Sequence, residues 1–172
     1  MTIMRRAARL GSALLLAALC LAATPRQPGK RLHADRILVE KSQRHLTLLW
    51  KGTPVKTYRV ALGSKPAGRK QCQGDNRTPE GLYRIDARNA ASHYHRALHV
   101  SYPNAQDAAN ARRLRCAPGG DIMIHGLPNG YGWLGTSHRL HDWTWGCIAV
   151  TDPEIEEIWD AVPNGTVVEI RP

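Results

Sequence analysis

From Arg36 onward apolar and polar residues alternate in short runs, and a period of two commits the first part of the chain to strands. Ile37, Val39 and Lys41 share one face. Leu46, Leu48 and Trp50 repeat the pattern after a polar turn at Ser42 to Arg44, so the two runs read as a hairpin. A second turn, Gly52 to Pro54, leads into Tyr58, Val60 and Leu62, and the three runs form a meander. Leu82 to Ile85, Asp121 to His125, Ile148 to Val150 and Val167 to Ile170 add further short strands. Helical signals are fewer. Asn104 to Arg115 is polar and Ala-rich with Asn104 as its cap. Thr151 and Glu154 form a capping box ahead of Ile155, Ile158, Trp159 and Val162, which make one apolar helix face ended by Pro163-Asn164-Gly165. The expected fold is mainly β with one or two short helices packed on it. Residues 63–81, rich in Gly, Pro and polar side chains, are a long loop, and such loops tend to be functional.

The chain of 172 residues fits one domain with a core of its own. Its start differs in kind: Arg5, Arg6 and Arg9 precede an uncharged, Leu- and Ala-rich run from Leu10 to Ala23, broken by Pro25, Pro28 and Gly29. This is the outline of a secretory signal over residues 1–24, and the run is short for a hydrocarbon core of about 30 Å. Residues 25–33 then form a linker and 34–172 the folded domain, exported to the periplasm or cell envelope. The formal charge is +10, and loss of the first 24 residues, with three Arg and no acid, leaves +7. A strongly basic exported domain is attracted to anionic polymers such as peptidoglycan. Nucleic acid is not the expected partner, because no basic stretch is interleaved with stacking aromatics and Phe is absent.

Export also shapes the cysteine arithmetic. Cys20 leaves with the signal, so Cys72, Cys116 and Cys147 remain in an oxidising compartment. An odd count leaves one thiol free or paired between chains. Cys147 sits in Thr144-Trp145-Gly146-Cys147-Ile148, on the lip of a strand and directly after a Gly that lets backbone amides approach a developing oxyanion. His125-Gly126 ends another strand and supplies an imidazole, while Tyr131, Trp133, Trp143 and Trp145 supply walls for a groove. A thiol and an imidazole suffice for acyl transfer: the imidazole takes the proton and the thiolate attacks a carbonyl. Cys72 and Cys116 are by elimination the disulfide candidates. Zinc is the rival chemistry, but His93, His95, His125, His138 and His141 show neither HExxH nor fixed helical offsets, and there is no CxxC; no metal is expected.

His125-Gly126, followed after a Gly- and aromatic-rich loop by Thr144-Trp145-Gly146-Cys147-Ile148, resembles the signature of the L,D-transpeptidase (YkuD-like) catalytic domain, HG then [ST]-x-G-C. The early hairpin, the Gly74 to Gly81 stretch and Asp121 to Gly126 are similar to the family as well. The resemblance implies a β-sandwich-like catalytic fold and a cysteine that attacks the bond between the third and fourth residues of a peptidoglycan stem peptide. It implies that a thioester forms with loss of D-Ala, and that an amine, a wall-linked protein or water resolves it. Cys147 matches the family nucleophile, His125 its base, Gly126 the carbonyl that orients the base, and the amides of Trp145, Gly146 and Cys147 the oxyanion hole. Thr144 matches the small hydroxyl position. The sequence departs from the family at Trp145, where a polar residue is usual, and at Ala149, where Arg is usual. Arg139, His138 and His141 are the substitutes expected to hold the substrate carboxylate. The expected activity is a cysteine L,D-transpeptidase, with an L,D-carboxypeptidase or amidase using the same pair as the alternative and a non-catalytic wall-binding module as the rival class. No cofactor is expected, since acyl transfer from amide to amine needs no redox or nucleotide input.

Overall fold

The computed structural model describes residues 32–172. The expected signal segment 1–24 and most of the expected linker 25–33 lie outside the described residues. Eight strands run in chain order: β1 Arg36–Glu40, β2 His45–Trp50, β3 Thr53–Arg59, β4 Gly81–Ser92, β5 His95–Val100, β6 Met123–His125, β7 Ile148–Ala149 and β8 Val167–Arg171. Helix α1 spans Ala105–Arg113 and α2 spans Asp152–Ala161, and a kinked 3₁₀ segment covers Gly132–Leu140. The strands form one sheet in the order β3-β2-β1-β8-β4-β5-β6-β7. The sheet curls until its ends meet: Ala61, just past β3, exchanges backbone hydrogen bonds of 3.0 and 2.8 Å with Ala149 of β7. The result is the mainly β fold with short helices expected from the alternation, built as one curled sheet.

The predicted faces account for the core. Ile37, Val39, Leu46 and Leu48 are wholly buried, as are Ile155, Ile158 and Val162 on the inner side of α2. Each contributes about 1.5–3 kcal/mol of burial free energy. Thr151 N–H and Oγ1 both donate to Glu154 Oε2, at 2.9 and 2.8 Å, so the capping box forms as read. Asn104 Oδ1 likewise accepts from the Asp107 amide at 3.0 Å. Trp159 is only half-buried and lies under Arg88, whose guanidinium carbon is 4.0 Å from the ring centroid.

β4 and β5 depart most from the sequence reading. β4 continues from Gly81 to Ser92 instead of stopping at Ile85, and β5 pairs with it antiparallel. The extension Asp86 to Ala91 is mostly exposed and polar or small, so it has no alternation to read; its pairing with β5 makes it a strand.

The long loop 63–81 is tied down along its length. Lys41, which alternation placed on the inner face, is buried, and its ammonium donates to Gly68 O at 2.7 Å, Thr78 O at 3.1 Å and Glu80 Oε1 at 2.7 Å. Asp75 accepts from Lys70 and from the amides of Gln71, Cys72 and Arg77. Cys72 is bonded to Cys116 with a Cα separation of 5.7 Å, inside the usual range for a bridge. The bridge spans 44 residues, for which chain entropy assigns about 4 kcal/mol. Thiol titration of oxidised protein lacking residues 1–24 is expected to find one reactive group per chain, and three after reduction and denaturation. Three before reduction would refute the bridge.

Candidate active site

β6 and β7 run parallel, with Ile124 beside Ile148 and His125 beside Ala149. Cys147, immediately before β7, therefore lies diagonally from His125 across two neighbouring strands. Both side chains line one hollow of about 440 Å³, together with Tyr94, Asp121, Trp143 and Trp145. His125 is buried and its Nδ1 meets the Gly126 carbonyl oxygen at 2.7 Å. A carbonyl only accepts, so Nδ1 carries the proton and Nε2 keeps its lone pair. The ring is clamped by Tyr94, with centroids 4.5 Å apart, and by the edge-on ring of Trp143 at 5.9 Å.

Burial holds the His125 pKa below the ordinary imidazole value, although its bond to Gly126 pulls the other way. Burial pushes the Cys147 thiol up, opposed in part by the Met123 amide. The thiol donates to Asp121 O at 3.5 Å. Both shifts favour a neutral thiol beside a neutral imidazole at rest rather than an ion pair.

The turn that presents Cys147 is built by Thr144. Its Oγ1 accepts from the Gly146 amide at 3.1 Å and donates to the Cys147 carbonyl at 2.7 Å. One of the three amides expected at the oxyanion position, that of Gly146, is thus engaged within the turn. Gly146 has φ of +135°, and a Cβ there would lie 2.7 Å from Arg77 O, so only glycine fits between the turn and loop 63–81. The loop is also joined to the turn through Ser64 N–H, which donates to Thr144 O at 2.9 Å. Loop 63–81 thus backs the turn that carries Cys147.

On its other side Cys147 borders a second hollow of about 450 Å³, lined by Lys70, Gln73, Asn76 and Gly120 and sharing Asp121, Trp145 and Cys147 with the first. Trp145, 84% exposed, stands between the two.

The residues expected to hold a carboxylate are elsewhere. Arg139 is ion-paired with Glu154, the capping residue of α2, and does not line either hollow. His138 is buried, its Nδ1 accepts from Trp143 Nε1 at 3.4 Å, and burial lowers its pKa to about 4, so it carries no positive charge at neutral pH. His138 lines a smaller apolar hollow with Leu127, Tyr131 and Leu134. His141 follows the 3₁₀ segment, exposed and away from both hollows. Ala149 is wholly buried between β6 and Ala61, so no side chain projects into the groove from that position. Trp133 is 77% exposed and lines none of these hollows, whereas His93, in the β4–β5 turn, lines the first hollow and His95 opens β5. Among the described residues no three His, Cys, Asp or Glu side chains gather as a metal cluster.

Sequence reasoning missed Tyr94 and Asp121. Tyr94 reaches the imidazole only because the unread β4–β5 turn folds beside β6. Asp121 lies two residues before β6, at φ of +54°, rather than within the strand expected over Asp121 to His125.

The L,D-transpeptidase catalytic domain family, YkuD, matches the chain over residues 34–170. YafK of Escherichia coli (strain K12), a candidate L,D-transpeptidase by name, is 30% identical over 113 residues, covering 64% of this chain and 38% of YafK. The chain thus spans well under half the length of that relative. The helical cell shape determining protein Pgp2 of Campylobacter jejuni superimposes with a TM-score of 0.61 at 25% identity, covering 78% of this chain and 46% of Pgp2. An L,D-transpeptidase of Xylanimonas cellulosilytica shares the fold at 15% identity and a TM-score of 0.52, covering 84% of this chain and 63% of that one. With the family matched over most of its length, the chain belongs to the L,D-transpeptidase (YkuD) catalytic-domain family.

Proposed function

We propose that this protein is a cell-envelope cysteine acyltransferase that acts on peptidoglycan stem peptides. The observation that carries the reading is the shared hollow of Cys147 and His125, with His125 Nδ1 spent on a carbonyl so that Nε2 is the only nitrogen left to take a proton. In the first half-reaction the thiol proton passes to Nε2 and sulfur bonds to the carbonyl carbon of the stem peptide. The amide C–N bond then breaks, and the leaving amine takes the proton from His125. In the second half an amine attacks the thioester, gives its proton to His125 and frees the thiol. The amides of Trp145 and Cys147 are the remaining candidates for the oxyanion.

The two hollows that meet at Cys147 support transfer over hydrolysis, because a reaction with two peptide partners needs room on both sides of the nucleophile. Hydrolysis, as a carboxypeptidase or an amidase, is the same first step with water in the second hollow. A net charge of +7 past residue 24 suits a protein working against an anionic wall polymer. The test is incubation with purified tetrapeptide muropeptides followed by mass spectrometry. Cross-linked product with loss of the terminal residue is expected; tripeptide alone would assign hydrolysis, and unchanged substrate would overturn the reading.

A further inference from the structure

The peptide unit between Gly126 and Leu127 is held at both polar ends. Its carbonyl oxygen meets His125 Nδ1 at 2.7 Å, and its N–H, that of Leu127, donates to Asp152 Oδ1 at 2.8 Å. We infer that Asp152 is a positioning residue for His125, acting through this peptide unit, an inference that rests on reading His125 as the base.

The packing is built around that carboxylate. A Cβ on Gly126 would lie 2.7 Å from Asp152 Oδ1, and a Cβ on Gly132 would lie 2.5 Å from Oδ2, so both residues lack a side chain where the carboxylate sits. On the far side His95 Nδ1 is 4.0 Å from Oδ2, and the same ring is fixed by a 2.7 Å contact from Nε2 to Glu156 Oε1. Asp152 also opens α2, where the helix dipole favours a negative charge. It stands five residues after Cys147, so one short segment carries both the nucleophile and the group that steadies the base.

The physical effect follows from how hydrogen bonds couple in series. An amide whose N–H is bound to an anion is polarised, and its carbonyl becomes the stronger acceptor. Asp152 thereby fixes the plane of the peptide and strengthens its grip on the Nδ1 proton. His125 stays in one tautomer with the Nε2 lone pair free. The carboxylate of a Ser-His-Asp triad does this by touching the imidazole; here it acts at one peptide's remove.

The test uses Asp152→Ala and Asp152→Asn with two readouts: the tautomer of His125 by ¹⁵N NMR, and the rate of Cys147 acylation by imipenem. Asp152→Ala is expected to mix the Nδ1–H and Nε2–H tautomers and to slow acylation by about 10- to 100-fold, the range of outer-shell partners that orient an imidazole. Asp152→Asn keeps an acceptor for the Leu127 amide, so it is expected to retain the Nδ1–H form and recover most of the rate, with the Nδ1 proton resonance moved upfield. A folded Asp152→Ala protein that keeps a single Nδ1–H tautomer and acylates within twofold of the parent overturns the inference. If the Ala variant does not fold, an Asn variant with unchanged rate and resonance overturns it. His125→Ala is run alongside: if that variant acylates normally, the reading of His125 as base fails, and the tautomer measurement still decides whether Asp152 holds the ring.

Discussion

Cys147→Ala is expected to give a folded protein that forms no covalent adduct with imipenem and turns over no muropeptide. The substitution removes the only free thiol among the described residues, the one proposed to form the thioester; Cys72 and Cys116 are consumed by their bridge. The cost in stability is small, within about 1 kcal/mol, because the thiol is half-buried and its contact to Asp121 O is long. The measurement is intact mass after incubation with imipenem, with the thermal transition recorded on the same sample. An adduct on well-folded Cys147→Ala protein would end the assignment of the nucleophile.

His125→Ala is expected to lower acylation of Cys147 by about 10²- to 10⁴-fold at pH 7, the usual contribution of a positioned base. The pH dependence carries the sharper information. Burial lowers the imidazole pKa in the folded protein, so the base is neutral and competent down through its ordinary value near 6.5 and is lost only in more acidic solution. Burial raises the thiol pKa, so unaided thiolate accumulates only in alkali. The parent rate is therefore flat from about pH 7 upward, whereas the variant's rate climbs with pH and the gap between them narrows. Acylation rates taken across this range check the ratio. A gap that stays constant into alkali would mean that the imidazole serves some end other than taking the thiol proton.

Much of this site was legible because local patterns write it. The hairpin β1–β2 follows from alternation, the start of α2 from Thr151 and Glu154, and the His125-Gly126 and Gly146-Cys147 pairs lie in short stretches whose shape is set by backbone demands at glycine. What escaped was pairing between distant segments. Asp86 to Ala91 has no apolar period, and only β5 makes it a strand. Arg139 reads as a free cation in a loop, yet Glu154 claims it across a sequence gap that alternation cannot bridge. Asp152 lies in the first turn of α2, and its bond to Leu127 forms only because the fold lays β6 beside β7.

Cys147 itself sits at the mouth of a strand only two residues long. β7 keeps its place through β6 on one side and through Ala61 on the other, partners that lie far from it in the chain. No local element of this size is stable alone, so the geometry around Cys147 depends on long-range closure of the sheet through β6 and Ala61. A fragment lacking the segment through Ala61 is expected to carry the cysteine without this geometry, and opening of the sheet at the Ala61–Ala149 seam is expected to disturb the surroundings of the thiol before the core melts.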